Sequence, residues 1–192
     1  LHNTEVYNDN GVILESVWYD ENGNAVEIIT YDFEGNTLSE QYVNRNELQV
    51  YEYDENGKLL SKNQYDLNGN LVHETTYEYD ENSNLISSLT IDVESGEMVK
   101  AFEYEYDEKN RVVVEKEAGG LYLVYDYYNE YAYDEFDNMI SYKCTYNGEH
   151  LIWEDYQYSE NGLKTEIKSY DKNGNVESVK KMSYGGPEND LI

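Results

Sequence analysis

The chain is poor in the residues that staple or catalyse. One cysteine, Cys144, stands in 192 residues, so no intrachain disulfide can form. Its one adjacent base, Lys143, points to the opposite face of a strand and leaves the thiol an ordinary strand residue. The histidines are three, His2, His73 and His150, scattered over different parts of the sequence. No serine or cysteine sits in a nucleophile context, so an enzyme is not expected. Basic residues number 13 against 41 acidic ones, a net charge of −28. A polyanion repels phosphate backbones and anionic headgroups, which argues against nucleic acid and membrane surfaces as partners. No apolar run approaches the roughly 20 residues of a membrane span.

What is abundant is tyrosine, 23 residues, and a recurring hexapeptide. YDENGN stands at 19–24, YDFEGN at 31–36, YDENGK at 53–58 and YDLNGN at 65–70. YDENSN follows at 79–84, YSENGL at 158–163 and YDKNGN at 170–175, with weaker copies at Tyr7, Ile91, Tyr106, Tyr133 and Tyr146. A short fixed period means one small unit stacked many times. The aromatic content argues for an ordered chain despite the charge. Acids spread along the whole length fit a solvated surface, and no break in composition divides 1–192 into separate domains.

Each unit has a turn half and a strand half. Asp binds its own backbone, Asn tolerates unusual backbone regions, and Gly takes positive φ without steric cost. The intervening Val, Ile, Leu, Thr and Tyr suit a pleated strand, while a dozen residues interrupted by Asn-Gly cannot hold a helix. A three-residue loop (a type I turn plus a Gly bulge) would pair Asp20 with Asn24 and set Tyr19 opposite Ala25. Counting by twos from Ala25 then reaches Tyr31, so every leading tyrosine is expected on one face. The irregular steps near Tyr106 and Tyr146 require a bulge or a different turn. The gap from Tyr106 to Tyr133 reads as two repeats with a shared turn at Gly119-Gly120. The fold expected is an all-β antiparallel meander of about a dozen or more strands, one extended or spirally curled sheet, with repeats over about 7–184 and a tail at 185–192.

These units resemble the YD, or RHS-type, repeats of bacterial surface and secreted proteins, over nearly the whole chain. The resemblance implies a β-sheet that winds into a spiral or shell. With no autoprotease core or toxin segment after Tyr184, it implies a short stand-alone array or a segment of a larger one. MORN-type repeats are the nearest rival, but their recurrent second Gly is absent. Choline-binding repeats lack a counterpart for their Gly-Trp and Trp-Tyr-Tyr elements. A start at Leu1 without methionine is expected of a chain whose targeting peptide or lipid anchor has been removed, with an extracellular or cell-surface location.

The function expected is a non-enzymatic structural or adhesive module, with a protein or carbohydrate partner at the cell surface. The alternative is a carbohydrate-binding module. LYLVYDYYNEYAY at 121–133 places Tyr125, Tyr127, Tyr131 and Tyr133 on one strand face, an aromatic row suited to sugar rings or an extended peptide. Packing against neighbouring strands is the competing role for those rings. No metal ligand set and no cofactor are expected. Calcium is the weaker alternative, because Asp20, Asp66 and Asp171 each lie two residues from an Asn, yet the bidentate acid that ends a calcium loop is missing.

Overall fold

The computed structural model describes residues 2–119 and 126–184. Among the described residues, fifteen strands pair with their sequence neighbours in one antiparallel meander. They are β1 (His2–Tyr7), β2 (Ile13–Tyr19), β3 (Ala25–Tyr31), β4 (Thr37–Tyr42), β5 (Glu47–Tyr53), β6 (Leu59–Tyr65), β7 (Leu71–Tyr79) and β8 (Leu85–Asp92). There follow β9 (Met98–Tyr106), β10 (Val112–Gly119), β11 (Tyr127–Tyr133), β12 (Met139–Tyr146), β13 (Glu149–Tyr158), β14 (Lys164–Tyr170) and β15 (Val176–Lys181). No α-helix occurs among the described residues, and the only helical turn there is the 3-10 segment Val43–Arg45. The chain divides into two compact units, Leu1–Ala101 and Phe102–Ile192.

The motif's Asp, Asn and Gly make the turns. In YDENGN the Asp20 N–H donates to the Asn24 carbonyl at 2.8 Å, and the Gly23 N–H donates to the Asp20 carbonyl at 3.1 Å. Asp20 Oδ1 accepts the N–H groups of Asn22 and Asn24, while its Oδ2 accepts the Asn24 amide at 3.0 Å. Gly23 has φ of +83°, the left-handed conformation the loop requires. Tyr19 pairs with Ala25, so the three-residue loop stands as expected. Asp32, Asp66, Asp80, Asp134 and Asp171 repeat these bonds. Tyr146 turns differently: Asn147 and Gly148, both at positive φ, form a two-residue turn that pairs Tyr146 with Glu149.

The expectation that all leading tyrosines share one face is overturned by a second irregularity. Beyond the Tyr19–Ala25 pair the register jumps to Trp18–Glu27, leaving Val26 as an extra residue. The same jump follows other Tyr-Asp hairpins and makes bulge residues of Leu38, Leu60, Val72, Ile86 and Ile140. Because side chains alternate with a period of two, one extra residue per hairpin exchanges the faces. By register, Tyr7, Tyr31, Tyr53 and Tyr79 share one face of the first unit, and Tyr19 and Tyr65 take the other. In the second unit Tyr133 and Tyr158 lie together and Tyr170 lies opposite. The repeat is therefore a hairpin of two strands.

A bulge releases a carbonyl from the ladder, and a buried carbonyl needs a donor. The leading tyrosine supplies it. Tyr53 donates its hydroxyl to the Thr37 carbonyl at 2.9 Å, and Tyr79 donates to Leu59 at 2.9 Å. Tyr158 donates to Met139 at 2.8 Å, and Tyr184 to Lys164 at 2.8 Å. In each case the acceptor opens the preceding strand, next to its bulge. The tyrosine of one hairpin thus closes the bulge of its neighbour.

Burial is shallow. Among the described residues, Ala118, Cys144 and Tyr156 are the buried hydrophobic residues, joined by Ser16, Ser61, Thr75 and Ser88, and no large side chain there is fully buried. Half-buried tyrosines carry the packing, rings against neighbours and hydroxyls on polar groups.

Candidate interaction grooves at the hairpin turns

The aromatic row expected at 125–133 is partly in view, and Tyr125 lies outside the described residues. Of the turn expected at Gly119-Gly120, Gly119 ends strand β10, and Gly120 lies outside the described residues. Tyr127, Tyr131 and Tyr133 do share one face of β11. Their rings pack across strands. Tyr127 lies 4.9 Å from Tyr146, Tyr131 stacks on Tyr142 at 5.4 Å, and the Arg111 guanidinium stands 4.7 Å over Tyr133. The Tyr131 hydroxyl donates to Glu115 at 3.0 Å; burial, then this bond, push its pKa up.

The turn aspartates spend their oxygens on the chain itself. Asn side-chain bonds hold Asp20, Asp32, Asp66, Asp80 and Asp134 below the usual carboxylate range. Among the described residues no three His, Cys, Asp or Glu side chains gather as a metal-binding group. The histidines are apart. His73 contacts Gln64 at 3.0 Å and Asp92 at 3.8 Å, while His150 meets the Tyr170 carbonyl at 3.2 Å.

Grooves open where turns on one edge of the sheet stand side by side. In the first unit the turns at 32–36 and 54–58 flank a groove floored by Leu38, Tyr51, Tyr53 and Leu60. In the second unit the turns at 134–138 and 159–163 flank another, floored by Ile140, Tyr156 and Tyr158. The floors correspond position by position, since Leu38 and Ile140 are both bulge residues and each pair of tyrosines ends a strand. The walls differ. Asp32, Glu34, Glu52, Asp54 and Glu55 line the first groove, whereas Asp134 and Glu160 are the only carboxylates lining the second. Where Glu34 stands in the first, the second has Phe136, a residue 76% exposed.

Sequence reasoning passed over Phe136. The available signal was an aromatic residue inside a turn, as in YDEFDN and, at Phe33, in YDFEGN, where turn chemistry asks for none.

A family model described as "Uncharacterised protein" matches residues 3–120. A comparison with curated proteins matches none. Among solved structures, the crystal structure of TcdB2-TccC3-TEV is 18% identical, with a TM-score of 0.50 over 92% of this chain and 12% of that one. The Photorhabdus luminescens Tc holotoxin pore is 16% identical, with a TM-score of 0.49 over 89% and 11%. A porin-like protein from Bacteroides uniformis is 9% identical, with a TM-score of 0.47 over 91% and 86%. The chain spans about an eighth (12%) of the TcdB2-TccC3-TEV chain. That likeness shows a common β-repeat fold, in keeping with the YD-type resemblance.

Proposed function

The chain belongs to the family whose model matches residues 3–120, and from its repeat architecture we propose a non-enzymatic structural or adhesive module of a bacterial cell-surface or secreted protein. The observation behind this reading is how the motif residues are used. The motif's Asp and Tyr side chains bind the chain's own backbone in turn after turn, and its Asn side chains bind the Asp. What they leave is a broad acidic surface of half-exposed strands. Such a surface offers area and spacing for contact with a partner.

The reading is tested in the bacterium that carries the gene. Antibody against the chain is expected to label intact cells or to find the protein in the medium, and external protease is expected to remove the label. Recovery of the protein solely from the soluble cell interior would sink it.

A further inference from the structure

The groove beneath Phe136 differs from its counterpart in a consistent direction. In the first unit the equivalent groove carries five carboxylates, and its turn tip is Glu34. In the second, neutral Gln157 and Ser159 stand at the places of Glu52 and Asp54, and Phe136 replaces Glu34. Both turns carry an exposed phenylalanine, but Phe33 does not line the first groove, whereas Phe136 lines the second beside fewer carboxylates, with Glu135 and Asp137 of its turn outside the lining. Lys164 stands 3.7 Å over the Tyr156 ring of the floor, offsetting the charge that remains.

We propose that this groove binds an uncharged sugar ring, stacked on Phe136 and hydrogen-bonded by the polar groups of the two turns. An aromatic face with amides around it is the chemistry that recognises a sugar, apolar on its C–H face and rimmed by hydroxyls. Asn138 keeps its side-chain carbonyl available while its amide binds Asp134, and the Asn161 amide sits at the opposite wall. Anionic ligands meet the repulsion of the whole molecule, and cations find more carboxylates in the first groove. A strand-adding peptide is disfavoured because Asp134 and Ser159 already accept the turn N–H groups beside the groove. The row of Tyr127, Tyr131 and Tyr133 lies on the same face of the sheet as Tyr156 and Tyr158, so the groove ends an aromatic surface.

The test is calorimetric titration of the full chain with cellohexaose, mannohexaose and maltohexaose, with hexagalacturonate as the anionic comparison. At least one uncharged oligosaccharide is expected to bind, and hexagalacturonate is not. Phe136→Ala is expected to weaken binding about tenfold, the loss of one stacked ring. Phe136→Glu is expected to abolish it, installing at this position the residue type the equivalent turn already carries. Phe136→Trp keeps binding, and Phe33→Ala, at a similarly exposed position on the turn of the first groove, leaves it unchanged. No heat with any neutral sugar, equal binding of hexagalacturonate, or survival of binding in folded Phe136→Glu would each overturn the proposal. The titration and the surface-labelling experiment can fail independently.

Discussion

At the residue scale the economy of the repeat is a matter of left-handed positions and released carbonyls. Gly174, at φ of +82°, has the Trp153 ring 3.1 Å from where a Cβ would stand, whereas Gly69, at +79°, has open space. Gly69→Ala should therefore cost about 1–2 kcal/mol, the strain of a left-handed alanine. Gly174→Ala should cost more, because the Trp153 ring, stacked on Tyr170, must also give by a few tenths of an ångström. Urea unfolding of the two variants measures the difference. Ser83 occupies the glycine position of its turn at φ of +71°, so Ser83→Gly should raise stability, by up to about 1 kcal/mol. Tyr79→Phe leaves the Leu59 carbonyl without its donor and should cost about 1–3 kcal/mol. An unchanged urea midpoint would show that water replaces the hydroxyl freely.

At the element scale the hairpin turn is the titrating unit. The turn aspartates have folded pKa values below their unfolded ones, chiefly through bonds from Asn side chains. Their contribution is therefore complete above the unfolded pKa of about 4 and is lost as pH falls through the lower folded values. Urea midpoints should hold between pH 7 and pH 5 and drop below about pH 4, with Asp66→Asn flattening the acid slope. The turn at 107–111 departs from the common pattern. Asn110 and Asp137 take left-handed positions without glycine, and Arg111 bridges the two turns at 2.7 Å from Asp137 and 2.9 Å from the Asp134 carbonyl. Arg111→Ala should loosen both turns, read as faster amide exchange at 107–111 and 134–138, and Arg111→Lys should restore only part, since one ammonium cannot reproduce the guanidinium fork.

At the scale of the whole molecule, self-repulsion and the tyrosines set the limits. A net charge of −28 on a thinly packed sheet favours expansion, so stability should rise with sodium chloride as the Debye length falls from about 30 Å at 0.01 M to about 10 Å at 0.1 M. A melting temperature indifferent to salt would contradict this. Calcium chloride at matched ionic strength is expected to add only what divalent screening adds. At high pH the sign reverses from that of the aspartates. The Tyr42 pKa is pushed up to about 12, first by its bond to Glu40, so its contribution is complete below the unfolded value of about 10 and is lost as pH rises through 12.

The sequence by itself determined the strand class, the three-residue turn and its Asp20–Asn24 closure, because turn chemistry acts within five consecutive residues. It also placed Tyr127, Tyr131 and Tyr133 on one face, since alternation along a strand is local. The bulge at Val26, the resulting exchange of faces, and the bond from Tyr79 to Leu59 were decided only in the tertiary structure. Each depends on which residue of one strand opposes which residue of the next, and a register is a property of two strands. For the same reason Phe136 became a candidate only when its turn was seen beside the one at 159–163, twenty-odd residues away in sequence and adjacent in the fold.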